Sequence, residues 1–196
     1  MKVLKQRGFT VVELMVAIAV LAILTAIALP NFRDFMRRNA VTSHTNELLG
    51  DLSYARQLAT TELSVVSICP TADPSASAPT CSDDGNYAQG WLIYKAPSAG
   101  TDLGTTTGFQ LLRVAQSMSN VSIRADSTDV ISFNQRGAAP GGEVGFHICA
   151  KSSSDTVGQS TPAAPGVRLR LMAAGRAATN PLSTATDSDA AQLLCQ

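Results

Sequence analysis

One carboxylate inside a long apolar run restricts this chain more than any other feature. From Phe9 to Leu29 the sequence reads FTVVELMVAIAVLAILTAIAL, and Glu13 is its only charged residue. An apolar run of about 20 residues can cross a bilayer as a helix. An ionised carboxylate inside it costs about 2.5–3.5 kcal/mol or more, so it needs an opposite charge beside it. The run itself holds no base. The partner is therefore expected on another molecule.

A short basic leader with Lys2, Lys5 and Arg7 precedes the run and ends at Gly8. A Sec-type signal peptide shares this basic-then-apolar layout, but no small-x-small cleavage site closes the apolar core here; Leu29 is followed by Pro30-Asn31-Phe32-Arg33. The segment is therefore expected to stay in the mature chain as a single membrane pass, with the leader on the cytoplasmic side. Arg33, Arg37 and Arg38 lie beyond the run and weaken that charge rule.

The 196 residues leave room for one membrane helix and one domain of ordinary size. Basic and acidic residues balance at 15 each. Three of the basic residues belong to the leader, so without it 12 face 15 and the formal charge is −3. Such a balance gives no general pull toward nucleic acid, though a local basic patch remains open. Cys69, Cys81, Cys149 and Cys195 all follow the membrane run. An even count in a domain sent to an oxidising space points to two disulfides. Three pairings are possible. Cys69–Cys81 and Cys149–Cys195 are favoured, because the first closes the loop CPTADPSASAPTC and the second ties the last residues back to a strand.

Phe9 to about Thr61 reads as one long helix, with Pro30 expected to kink or melt it where it leaves the membrane. Val41, Thr45, Leu48, Leu52, Ala55 and Ala59 step by four and three along one stripe. Arg37, Arg38, Glu47, Asp51, Arg56 and Gln57 are assigned to the other side. Such a helix needs a surface to lie on, most simply a β-sheet formed by the rest of the chain. Seven β-rich segments follow: 64–69, 89–95, 109–115, 121–125, 130–134, 144–150 and 166–172. In Val167-Arg168-Leu169-Arg170-Leu171 the alternation buries one face and shows both arginines on the other. Residues 151–165 and 180–191 read as mobile loops. Trp91 reads as a core residue.

No catalytic constellation is visible. His44 and His147 stand alone, the serines lack a GxSxG setting, and no phosphate-binding glycine loop occurs. The cysteines lack zinc spacing. Asp83-Asp84-Gly85-Asn86 reads as a tight turn rather than a calcium loop. The chain is expected to be no enzyme and to need no cofactor or metal.

Lys5-Gln6-Arg7-Gly8 followed by Phe9-Thr10-Val11-Val12-Glu13 resembles the class III signal of the type IV pilin superfamily. In that family a membrane peptidase cuts after the glycine, and the new first residue is methylated. The resemblance implies cleavage between Gly8 and Phe9, N-methylation of Phe9, and a prepilin peptidase/methyltransferase as partner. The family's glutamate is the fifth mature residue, here Glu13, and its proline the twenty-second, here Pro30. In family filaments that carboxylate pairs with the N-terminal amine of a neighbouring subunit, so Glu13 and Pro30 become assembly residues.

Further along, Gln89-Gly90-Trp91, Ile131-Ser132-Phe133-Asn134-Gln135-Arg136-Gly137 and Gly175-Arg176 resemble the minor pilins and pseudopilins of the GspH/FimT/FimU type. The resemblance implies an α+β, pilin-like fold: a long N-terminal spine helix packed on a head of two antiparallel sheets. It divides the chain into a leader (1–8), a transmembrane assembly helix (9–29), an amphipathic spine helix (30–61) and a β-rich head (62–196). It also implies inner-membrane insertion with the head in the periplasm, then assembly with other pilins or pseudopilins. The expected role is a structural minor pilin of a type IV pilus initiation or tip complex. The alternatives are a subunit of a type II secretion pseudopilus and a FimT-like DNA-binding pilin for transformation. FimT-like proteins bind DNA through a Gly-Arg-x-Arg element. Here Gly175-Arg176-Ala177-Ala178 lacks its second arginine. Arg168, Arg170 and Arg176 are the candidate DNA contacts, and DNA is not the favoured partner.

Overall fold

The computed structural model describes residues 9–103, 108–128, 130–152 and 155–196. The chain divides into two compact units, Met1–Met36 and Arg37–Gln196. Helix α1 (Val11–Thr61) contributes to both.

In the first unit, the Thr10 hydroxyl accepts the Glu13 backbone N–H at 3.2 Å. Thr10 thereby caps the helix start and places Glu13 in the first turn, where the helix dipole favours a negative charge. Thr25 donates its hydroxyl to the Leu21 and Ala22 carbonyls, both at 3.0 Å, and Asn31 Nδ2 donates to the Ile27 carbonyl at 3.1 Å. These polar side chains are satisfied by their own helix, as an apolar medium requires. α1 continues through Pro30 rather than breaking there; the Pro30 side chain lies outside the described residues.

In the second unit, the stripe Val41, Thr45, Leu48, Leu52, Ala55 and Ala59 is buried on one side of the helix. α1 ends where Leu63 takes a left-handed conformation (φ 50°). The Ser64 N–H then closes on the Ala59 carbonyl at 3.2 Å, a helix-terminating geometry that glycine usually supplies.

Among the described residues eight strands follow: β1 (Val65–Pro70), β2 (Trp91–Ala96), β3 (Gln110–Ala115), β4 (Val121–Ala125), β5 (Ile131–Phe133), β6 (Val144–Ala150), β7 (Val167–Leu171) and β8 (Ala177–Pro181). They form two four-stranded antiparallel sheets, ordered β3-β2-β1-β5 and β4-β6-β7-β8. In the first sheet Val66, Ile68, Trp91 and Ile93 enter the main core with the helix stripe. Cys69, Leu92 and Tyr94 form a smaller cluster on the opposite face. Burial on both faces explains why β1 and β2 read as unbroken apolar runs. In the second sheet Ile123, Phe146, Ile148, Leu169 and Leu171 face the main core. Tyr87 joins the clusters of aromatic rings, lying edge-on to Phe146 with centroids 5.1 Å apart and 6.3 Å from Trp91.

The structure pairs Cys69 with Cys81 and Cys149 with Cys195. Two elements depart from the sequence expectation: β8, and a short helix α2 (Ser188–Leu193) capped by the Asp187 carboxylate. The stretch 180–191, read as loop, overlaps only the last two residues of β8 and the first four of α2. Described residues of the other expected loop, 151–165, also make specific contacts. Ser160 is fully buried, donates to the Ser183 carbonyl at 2.7 Å and accepts the Gly166 N–H at 3.0 Å, and Ala150 bridges to Gln159.

Candidate functional site

Gly8 lies outside the described residues. Phe9 is the first described residue and is exposed. From Phe9 to Leu29 every described side chain is exposed within the unit that holds it. Eighteen residues of this segment form a window of mean hydropathy 2.7 with none of it buried. A surface this apolar must be covered by lipid or by other protein. Glu13 sits at its start with its backbone N–H already engaged by Thr10. Thr10 was missed in the sequence reading, although Thr-x-x-Glu ahead of an apolar run is a helix-start signal.

The head's electrostatics differ from the sequence reading at two places. Asp51 was assigned to the solvent side of the helix, but its side chain is only 2% exposed. Trp91 Nε1 donates to Asp51 Oδ2 at 2.8 Å, and Arg113 Nη1 pairs with Asp51 Oδ1 at 2.8 Å. The position lies three residues after Leu48 and four before Ala55, and that spacing on the stripe could have located it. Burial raises the Asp51 carboxyl above the ordinary carboxylate range. The Trp91 hydrogen bond and the Arg113 charge pull it down, and Glu47 pushes it up.

Arg168 and Arg170 do face away from the core on β7, but acids meet them. Arg170 Nε donates to Glu143 Oε1 at 2.7 Å. Arg168 Nη2 lies 3.7 Å from Asp126 Oδ2. Gly145 makes room for the latter pair, because a Cβ there would strike the Asp126 carboxylate. Arg176, in the turn before β8, is exposed and forms no ion pair among the described residues. His147, on β6, bonds through Nδ1 to the Gln196 backbone oxygen at 2.6 Å, and His44 pairs with Glu47 at 3.0 Å. Asp84 accepts the Asn86 N–H at 3.0 Å and Gly85 has φ +63°, so this acidic stretch is a hydrogen-bonded turn. The described residues contain no group of three or more His, Cys, Asp or Glu able to hold a metal.

A second convergence was not foreseen. The turns at Gly137 and Gly175, with φ of +73° and +75°, meet beside Arg56. Arg56 Nε donates to the Gly137 carbonyl at 2.9 Å. A Cβ on Gly175 would overlap that same carbonyl, so the close approach needs glycine. The Ala139 N–H donates to the Ala173 carbonyl at 2.9 Å and closes the junction.

Comparison with known proteins matches each part of the chain separately. Residues 44–191 match the family described as Type II transport protein GspH. Residues 4–29 match the Prokaryotic N-terminal methylation motif. Prepilin peptidase-dependent protein D of Escherichia coli (strain K12) is 53% identical over 38 residues, covering 19% of this chain and 26% of that protein. A fimbrial protein of Dichelobacter nodosus is 30% identical over 107 residues, covering 54% of this chain and 64% of the relative. The chain thus spans between about a quarter and two thirds of these relatives. The crystal structure of the type IV minor pilin FimU of Pseudomonas aeruginosa shares the fold, with a TM-score of 0.50 at 21% identity over 74% of this chain and 90% of that one.

Proposed function

Because the chain belongs to the GspH family, we propose that it is a structural subunit of a type IV pilus-like filament, cut after Gly8 by a prepilin peptidase and methylated on Phe9. One observation carries this reading: a lone carboxylate at the start of the exposed apolar stretch of α1, inside a segment that matches the N-terminal methylation motif. Sister helices would cover the apolar surface. The positive N-terminal amine of a neighbour would meet Glu13, and the pair would fix the axial register between subunits. In this reading residues 9–29 hold the chain in the inner membrane until extraction, and the disulfide-tied head makes the specific contacts outside it. Packing, not catalysis, is its work.

We favour a minor, initiation- or tip-type place in a type IV pilus, alongside other pilins. The family's description also supports a pseudopilus subunit of a type II secretion machine. DNA capture receives less support, because Arg168 and Arg170 are met by acids. The test is mass spectrometry of the chain from sheared surface filaments. The expected product begins with N-methylated Phe9. A chain that keeps its leader and never enters filaments would end the proposal.

A further inference from the structure

Beside the Gly137–Gly175 junction the head opens into a cleft of about 520 Å³. Arg56 and Arg176 both line it, and no acidic residue does. The acids flanking its helical wall in sequence are engaged elsewhere, Asp51 with Arg113 and Glu62, just past the end of α1, with Lys95. Arg56 is tethered through Nε alone, so its two terminal amino groups make no hydrogen bond among the described residues. Ser53 and Thr60, also on the wall, donate their hydroxyls back to the Leu49 and Gln57 carbonyls. The cleft therefore presents two unneutralised guanidinium groups and the Gln57 side chain, held by a backbone wall that admits no side chain at Gly175. Guanidinium forks match carboxylates in plane and charge, and a tethered fork loses little freedom on binding.

We propose that this cleft receives an Asp or Glu side chain from an adjacent subunit of the filament. The inference rests on the filament reading above. Charge complementarity identifies the occupant: without its leader the chain carries three more acids than bases, so sister or similar subunits supply carboxylates. The cleft accommodates a few side chains, whereas a nucleic-acid backbone needs an extended basic track, and the arginines of the adjoining β7 are matched by acids.

The test uses the full chain in filament-producing cells, with a photo-crosslinking amino acid in place of exposed Gln57 or, as a control, Leu24 in the apolar helix. Adducts from position 57 are expected to join a subunit peptide that contains Asp or Glu. Arg176→Glu is expected to lower their yield about tenfold or more, and changing the captured acid to Lys in the same cells is expected to restore it. The Arg176 side chain has no partner among the described residues, so its substitution is expected to leave the fold intact; unchanged Trp91 emission checks this. Adducts to peptides without an acid, adducts to DNA alone, or a yield unmoved by Arg176→Glu would overturn the proposal. So would adducts from position 24 with none from position 57, which would leave the filament reading standing. Loss of subunit adducts from both positions would remove the filament reading and the cleft proposal together.

Discussion

Leu14, Leu21 and Leu24 are 57%, 61% and 59% exposed, whereas Leu48 and Leu52, later in the same helix, are 0% and 1% exposed. Both stretches are helical and rich in leucine. They differ in where their charges lie. Residues 14–29 carry no charge at all, so no side of the helix prefers water. After Arg37 polar residues occupy all but one stripe, and that stripe packs on the sheets. The first stretch leaves its burial to other molecules. The second completes its burial within the chain. On the filament reading proposed above, a single helix contributes to assembly at one end and to a folded core at the other, and each contribution can be disturbed alone.

Glu13→Ala should separate the two most sharply. Head stability should be unchanged while incorporation into filaments falls by about tenfold or more, because a buried amine on the neighbour would lose its counter-charge. Quantitative immunodetection of sheared filaments measures this, and normal incorporation would remove the electrostatic basis of register. Next in size are the disulfides, which act on the head alone. Replacing Cys149 and Cys195 by Ser should cost about 4 kcal/mol by loop-closure entropy, against about 3 kcal/mol for Cys69 and Cys81. The order follows from sequence separations of 46 and 12 residues. Denaturant unfolding followed by emission of buried Trp91 would report both, and a reversed order would show that the longer staple acts some other way.

The leucines test the comparison directly. Leu48→Ala should destabilise the head by about 3 kcal/mol through the cavity it leaves. Leu24→Ala should change head stability by less than about 0.5 kcal/mol. Equal effects would mean that the two stretches are not energetically separate. The smallest effect concerns Asp51. Its folded-state pKa is raised by burial, so the stability it contributes is complete below the unfolded value of about 3.9 and is lost as pH rises through the folded value. Asp51→Asn, which can still accept the Trp91 N–H, should therefore gain on the native chain as pH rises from 3 to 7. A stability difference that stays flat over this range would show that Arg113 fully offsets the burial.

How far the sequence could be read follows the same division. The leader, the apolar run and the stripe rest on local spacing, and the helix ends at Thr61 as that spacing implies. The seven anticipated strands were legible from their Val, Ile, Leu and aromatic content, most of it buried in a sheet, although β3 carries it on a largely exposed edge. β8 was not: Ala-Ala-Thr-Asn-Pro has neither alternation nor bulk and sits exposed at a sheet edge. α2, at six residues, is too short for a periodic signal. The arginines of β7 were placed on the right face, but their acids come from Asp126 and Glu143, outside that strand. The Arg56 junction depends on two glycine turns far apart in the chain, a long-range contact that no local pattern announces.

The Cys149–Cys195 bond has one more consequence. It turns everything from the end of β6 through α2 into a covalent ring that includes β7 and β8. One protease cut inside that ring would release nothing, and only a reductant would free the fragment. A head built this way can lose backbone continuity and still hold its shape.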